Sequence, residues 1–103
     1  MTLSKLETII KQIAKTYFVS MRYISQKKIS SGDIDIFSPF YKYYCDVETT
    51  FNLLNFESKR IITNEYFYDG YSNWWMGSYR ENEYKRKKKI AIKEFVEAFY
   101  EIH

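Results

Sequence analysis

The side chains that usually carry out catalysis are scarce in this sequence. The only cysteine is Cys45, and the only histidine, His103, occupies the final position. Nucleophilic catalysis by serine or cysteine usually requires a histidine base, and a structural zinc site usually requires about four Cys or His ligands. No Gly-rich phosphate-binding loop occurs either. We therefore predict a protein that is not an enzyme and that binds neither a metal ion nor a cofactor.

Two pairs of neighbouring carboxylates remain as candidates for acid–base chemistry, namely Asp33 with Asp35 and Asp46 with Glu48. We interpret both pairs as surface charges on a loop and on a helix rather than as a catalytic pair. Cys45 is expected to be a small buried apolar residue, and a reactive thiol is the alternative.

A basic segment near the C-terminal end is the most distinctive chemical feature. Residues 78–93 contain seven basic and two acidic side chains, a local balance of +5 in a chain whose total is +3. The basic residues are Arg80, Lys85, Arg86, Lys87, Lys88, Lys89 and Lys93. A local basic patch on a slightly acidic body suggests an anionic partner, either nucleic acid or a membrane surface.

Length and composition limit the fold and the compartment. A chain of 103 residues can form one hydrophobic core, and its aromatic content of 20% is typical of a folded protein. With only 3 Gly and 1 Pro, a fold rich in tight turns is disfavoured. No apolar run approaches the roughly 20 residues that span a bilayer, and the N-terminal residues lack the apolar core of a signal peptide. We therefore expect a cytoplasmic protein that has no membrane partner.

Apolar residues recur at steps of three or four from about residue 3 to about residue 26, which predicts a first amphipathic helix. Its apolar stripe consists of Leu3, Leu6, Ile10, Ile13, Tyr17, Met21 and Ile24. Ser4 and Glu7 match an S-x-x-E capping box near its start. Residues 27–38 are predicted to be a loop, because serines, a glycine and aspartates interrupt the helical pattern. The first helix is expected to pack on the core, and the alternative is that its apolar stripe forms a dimer interface or a partner-binding surface.

Two further helices are predicted before the basic segment. Ser38 and Pro39 match an N-cap followed by proline at the first helical position, which predicts a helix over about 39–54. Asn55 is the expected cap of the next helix, over about 56–68. The dipeptide Asp69-Gly70 then predicts a turn.

The last helix carries the basic segment. Ser78 and Glu81 match a second capping box, which predicts a helix over about 79–101. Ahead of it, residues 72–77 are long enough for about one helical turn. Lys88 falls within the apolar face of the last helix, where its aliphatic stem could cover apolar surface while its ammonium reaches water. That face consists of Tyr84, Ala91, Ile92, Phe95, Phe99 and Ile102.

A helix, a short turn and a capped basic helix follow each other as in a helix-turn-helix. In that motif the last helix lies in the major groove, where its N-terminal residues contact base edges and its basic side chains contact phosphates. Arg80 and Asn82 suit guanine and adenine edges, and the residues that suit phosphates are Lys85, Arg86, Lys87, Lys89 and Lys93. The predicted DNA-binding residues are Arg80, Asn82, Lys85, Arg86, Lys89 and Lys93. A merely solvated helix face is the alternative.

The adjacent tryptophans Trp74 and Trp75 point about 100° apart if they are helical. One is expected to fill the core between the last two helices, and the other to cover a neighbouring helix or to stay partly exposed. A different class of function follows if the rings are exposed: a protein-interaction module that binds RNA polymerase or another regulator through Tyr68, Tyr71, Trp74 and Trp75. RNA binding, with exposed rings as stacking platforms, is a third alternative.

The segments DVETTFNLLNFESKRIITNEYF, WW and YRENEYKRKKKIAIKEFVEAF resemble a known family. It comprises small phage and bacterial regulators that are similar to region four of sigma factors, including ArpU-like phage transcriptional activators. The matching residues are Leu54, Arg60, Ile61, Ile62, Tyr66, Phe67, Ser78, Tyr79, Arg80, Tyr84, Lys85, Arg86, Ala91 and Phe95. The resemblance covers about residues 46–100 and implies a helix-turn-helix that binds promoter DNA, with RNA polymerase as a further partner. Either Ile90 or Ala91 takes the buried small position of the family pattern.

We therefore expect one all-α domain over residues 1–103, with about four main helices and a short connecting helical turn. It would comprise an N-terminal amphipathic helix over 1–26, a loop over 27–38 and a helix-turn-helix-like core over 39–103. The expected function is that of a transcriptional regulator that binds double-stranded DNA through a basic C-terminal recognition helix. A homodimer or an RNA polymerase partner would add specificity, because a single helix-turn-helix has a small footprint.

Overall fold

The structure is a computed structural model that describes residues 2–68 and 72–103. The predicted all-α class is confirmed, since these residues form helices and no strand. The elements are α1 (Leu3–Ser31), α2 (Pro39–Leu53), α3 (Phe56–Ile62), a π-helical segment (Thr63–Phe67) and α4 (Glu81–Ile102). The predicted turn at Asp69-Gly70 lies outside the described residues.

Helix α1 begins at Leu3, as the sequence predicts, but its N-cap differs from the predicted one and the helix ends later. The Thr2 hydroxyl accepts a hydrogen bond from the Lys5 amide at 3.3 Å, so Thr2 is the N-cap and the predicted capping box at Ser4 is wrong. Ser4 lies inside the first turn because Thr2 already satisfies the free amide. The helix continues to Ser31, so the predicted loop over 27–38 is shorter.

The late end of α1 has a local cause. Gly32 has a φ of 79°, the left-handed conformation that commonly ends a helix, and its amide donates to the Lys28 carbonyl at 2.8 Å. Ser30 and Ser31 donate their hydroxyls back to the Lys27 carbonyl instead of breaking the helix. Serine therefore does not stop α1, and the glycine does.

Helices α1 and α2 form an antiparallel pair. Tyr17 stacks on Tyr44 with ring centroids 5.5 Å apart, and Tyr23 lies 4.5 Å from Phe40 further along the pair. The Ser38 hydroxyl accepts from the Phe40 amide at 3.1 Å, which confirms the predicted cap ahead of proline. The pair makes the molecule elongated: its longest dimension is 49 Å and its radius of gyration is 15.1 Å, against about 13 Å for a compact domain of this size.

Helix α3 is capped as predicted, because the Asn55 side chain accepts from the Ser58 amide at 2.8 Å. The predicted single helix over 56–68 instead changes to π-helical geometry after Ile62. In a π-helix, residues five apart share one side, so Phe67 falls on the same side as the buried Ile62. Phe67 thereby contacts Phe51 and Phe95 at ring distances of 4.9 and 5.7 Å.

One hydrophobic core joins all four helices. Helix α4 contributes the largest share, and Phe95 at its centre is fully buried. The core members are Leu6, Ile10, Ile13, Val47, Phe51, Ile61, Ile62, Tyr84, Ala91, Ile92, Phe95, Val96 and Phe99. Cys45, which the sequence predicts to be buried, is only half-buried on α2. The core fixes which side of α4 faces solvent.

Candidate nucleic-acid interface

The outer side of α4 carries a row of polar side chains that we call the basic stripe: Asn82, Arg86, Lys89 and Lys93. The spacings of four, three and four residues place these side chains on one face of the helix. All four are exposed, since the opposite face of α4 is buried in the core. Arg80 and Lys85, the other two predicted DNA-binding residues, are exposed as well.

The rotational setting of α4 follows from the residues at positions 90 and 91. Ala91 is fully buried, whereas Ile90 is 51% exposed. Of the two alternatives for the buried small position, the structure therefore selects Ala91. This setting directs Arg86 and Lys89 away from the core.

The charges along the stripe are unevenly neutralised. Lys85 pairs with Glu81 at 3.1 Å, and Lys93 lies 4.0 Å from Glu97. Arg86 and Lys89 take part in none of the ion pairs formed by residues 2–68 and 72–103. Positive charge is thus most available in the middle of the stripe, where an anion would gain most from it.

The first turn of α4 has the opposite character. Glu81 and Glu83 both lie there, where a helix N-terminus favours negative charge. Arg80 is the N-cap residue and makes no side-chain capping hydrogen bond. Phosphate binding is therefore favoured from Arg86 onward and disfavoured at the helix start.

Lys87, which the sequence assigns to phosphate contacts, forms an ion pair with another residue of the protein. Its ammonium lies 3.0 Å from a Glu57 oxygen on α3 and 5.6 Å from the centroid of the Tyr79 ring. The Lys87 hydrogen bond lowers the pKa of the Glu57 carboxyl and raises the pKa of Lys87 itself. Lys87 holds α3 against α4, which is why its charge is less available to a ligand.

Lys88 behaves similarly on the neighbouring side of α4. Its ammonium reaches a Glu65 oxygen at 3.3 Å and lies 5.8 Å from the centroid of the Tyr66 ring. The expectation that Lys88 lies within the apolar face holds, but its charge ends on a carboxylate rather than in water. Of the run from Arg86 to Lys89, only the two outer members face solvent as free cations among the described residues.

Glu65 is contacted by side chains from both α4 and the connection ahead of it, and the sequence analysis did not predict this role. Besides Lys88, its carboxylate accepts hydrogen bonds from the Tyr84 hydroxyl and from the Trp74 indole N–H at 3.3 Å. Burial and the neighbouring carboxylate raise the pKa of Tyr84. A lone glutamate in a mixed helical pattern carries no signal of this role, because its partners are distant in sequence.

The two tryptophans enclose Tyr84 instead of forming a free aromatic surface. Trp75 stacks on the Tyr84 ring at 4.6 Å with an interplanar angle of 6°, and Trp74 meets the same ring edge-on at 5.6 Å. The Arg60 guanidinium lies 5.0 Å from the Trp74 ring centroid. Both tryptophans are half-buried and Tyr68 is exposed, while Tyr71, the fourth predicted partner-binding residue, lies outside the described residues.

The connection ahead of α4 differs from the predicted capped helical turn. Residues 72–78 form successive turns, and the amides of Ser78 and Tyr79 both donate to the Trp75 carbonyl, at 2.9 and 3.0 Å. Ser78 therefore still belongs to the turn, and the predicted capping box with Glu81 is wrong. The described part of the connection, residues 72–80, is already longer than the about three or four residues that usually join such helices. The helix-turn-helix thus stays a prediction.

The chain has no match among protein-family models, curated proteins or solved structures. The similarity to region four of sigma factors accordingly stays a prediction from residues 46–100. Within the described ranges, no helix is long and apolar enough to cross a membrane. Those same residues contain no cluster of Cys, His, Asp and Glu suited to holding a metal ion.

Proposed function

We propose that the protein is a DNA-binding transcriptional regulator and that the basic stripe of α4 is its DNA-binding surface. The observation that carries the proposal is the pair Arg86 and Lys89, which are exposed and outside the ion pairs of the described residues. Lysine and arginine side chains that neutralise phosphates supply most of the sequence-independent affinity for DNA. An exposed helix also has the dimensions that the major groove admits.

The roles along α4 follow from the charges around each side chain. Arg86, Lys89 and Lys93 would contact phosphates, and they extend over about 10 Å of helix axis. Lys85 would add a weaker contact, because Glu81 partly neutralises it. Arg80 and Asn82 would face base edges, since the glutamates of the first turn disfavour phosphates there. RNA polymerase is a further partner under this proposal.

Reversing the charge of the middle of the stripe is expected to abolish DNA binding. The variant Arg86→Glu/Lys89→Glu should bind a generic duplex at least about 100-fold more weakly than the wild type. Wild-type affinity should fall as salt rises, with a slope of log affinity against log salt of about −3 if three phosphates are neutralised. Fluorescence anisotropy of a labelled duplex, at low and at moderate salt, measures both quantities.

The matched control is Lys11→Glu/Lys15→Glu, which makes the same charge change at two exposed positions on α1. It should retain most of the affinity if the stripe, rather than net charge, is responsible. Equal losses in the two variants, or no wild-type binding at low salt, would contradict the proposal.

The second candidate function is protein interaction through the connection ahead of α4. Tyr68 and Met76 favour it, because they expose 65% and 63% of their surface. Trp74 and Trp75 instead pack against the Tyr84 ring. Under this alternative, Tyr68→Ser/Met76→Ser would remove binding to RNA polymerase or another regulator, and Arg86→Glu/Lys89→Glu would not. The two sets of variants therefore separate the two candidates.

A further inference from the structure

The end of the α1–α2 pair carries large apolar side chains that have nothing to pack against. We call residues 27–37 the hairpin tip. Within it, Phe37, Ile29 and Ile36 expose 91%, 86% and 60% of their surface. Every residue from 25 to 37 is exposed, so the last two turns of α1 extend beyond the core. Clustered exposed apolar side chains of this size commonly mark an interaction site.

The hairpin tip is held in a defined shape. Gly32 ends α1 in the left-handed conformation, and the Asp35 carboxylate accepts from the Phe37 amide at 3.1 Å. The Ser38 amide donates to the Asp35 carbonyl at 3.2 Å, directly before the capped and proline-led start of α2. These bonds fix the backbone of Ile36 and Phe37, so a partner would meet a preorganised surface and lose less ordering entropy.

The hairpin tip carries charged side chains of both signs around these apolar side chains. Lys27 and Lys28 lie at the end of α1, and Asp33 and Asp35 lie in the loop that follows. None of the four belongs to an ion pair among the described residues. Two cations and two anions on one patch make that patch complementary to a second copy of itself, and a two-fold symmetric interface uses the same patch on both partners.

We propose that the hairpin tip is a homodimer interface, in which the tips of two copies meet about a two-fold axis. Phe37, Ile29 and Ile36 form its apolar centre, and the lysines of each copy face the aspartates of the other. A contact made by one hairpin tip is expected to bury less than the roughly 1,200 Å² of standard interfaces, a size class typical of weak and transient contacts. We therefore test for dimers with a dissociation constant on the order of micromolar. The proposal does not depend on DNA binding.

Sedimentation velocity over a range of protein concentrations tests the apolar centre. The wild type should shift from monomer to dimer as the concentration rises through the micromolar range, and Phe37→Ser should dimerise at least about 10-fold more weakly. Phe56→Ser is the matched control, because Phe56 is 81% exposed at the start of α3, outside the tip. A wild type that stays monomeric up to several hundred micromolar, or equal effects of the two substitutions, would overturn the proposal.

Complementary charge variants test the orientation of the two copies. Lys27→Glu/Lys28→Glu makes the tip acidic, and Asp33→Lys/Asp35→Asn makes it basic while keeping the side-chain oxygen that accepts from Phe37. Each variant alone should dimerise more weakly than the wild type, because like charges face each other. An equimolar mixture should restore dimers as a heterodimer of the two variants. Mixing without recovery would overturn the symmetric arrangement, and circular dichroism confirms that each variant is folded.

Discussion

Replacing Phe95 with alanine is expected to lower the free energy of unfolding by about 3–5 kcal/mol. The side chain is fully buried and contacts Phe51 and Phe67 at ring distances of 5.1 and 5.7 Å, so its removal leaves a cavity where α4 meets α2 and the π-helical segment. Domains of this size are stable by about 5–15 kcal/mol. Urea denaturation followed by circular dichroism should therefore show a large shift of the midpoint.

Ile90→Ala is the matched control on the same helix. Ile90 is 51% exposed and precedes Phe95 by about one and a half helical turns. Its truncation removes little buried surface, so the expected change is within about 1 kcal/mol. If Phe95→Ala and Ile90→Ala lowered the free energy of unfolding equally, the side of α4 that faces the core would not be the one described above.

The second large effect is expected at Tyr84, which joins α4 to the connection. Tyr84→Ala should cost about 3 kcal/mol, because the ring is 3% exposed and lies between Trp74 and Trp75. Tyr84→Phe keeps the ring and loses only the hydroxyl that donates to Glu65, so it should cost about 1–2 kcal/mol. In urea denaturation, the wild type should therefore be the most stable, Tyr84→Phe should be less stable, and Tyr84→Ala should be the least stable.

Tryptophan fluorescence gives this prediction a local readout. In the folded Tyr84→Ala variant, both indoles lose their contact with the ring and should become more exposed, which shifts their emission to longer wavelength. Tyr84→Phe should leave the emission close to that of the wild type. An unchanged emission in a folded Tyr84→Ala variant would contradict the stacking described here.

Much of the fold could be predicted because its causes are local in the sequence. The apolar spacing of Leu6, Ile10 and Ile13 directly describes the buried face of α1. The caps at Ser38 and Asn55 were predictable since each side chain bonds an amide two or three residues further on. These interactions do not depend on the rest of the chain.

The incorrect predictions arose where several local signals compete or where packing decides. Ser4 matches a capping box, but Thr2 caps α1, and Ser78 matches another although its amide belongs to a turn. The π-helical geometry after Ile62 brings Phe67 into contact with Phe51 and Phe95. The spacing of apolar residues in the sequence does not predict this change to π-helical geometry, because contacts with other helices stabilise it.

The candidate DNA-binding site likewise has one part that the sequence predicts and another part that only the packing of the helices determines. The exposure of Asn82, Arg86 and Lys89 could be predicted from the helical period. The engagement of Lys87 with Glu57 could not, because the two residues are brought together only by the packing of α3 on α4. A run of basic residues therefore overstates the charge that a ligand would meet, and only the tertiary structure identifies the available cations.

The most direct test of the proposed function is a titration of the isotopically labelled protein with a generic DNA duplex at low salt, followed by amide chemical shifts. The proposal predicts that the largest shift changes fall on residues 82–93 of α4 and disappear as salt is added. The Arg86→Glu/Lys89→Glu variant should show small changes throughout. Changes confined to Tyr68 and residues 72–79, or no changes in the wild type at low salt, would contradict the assignment of the basic stripe as a DNA-binding surface.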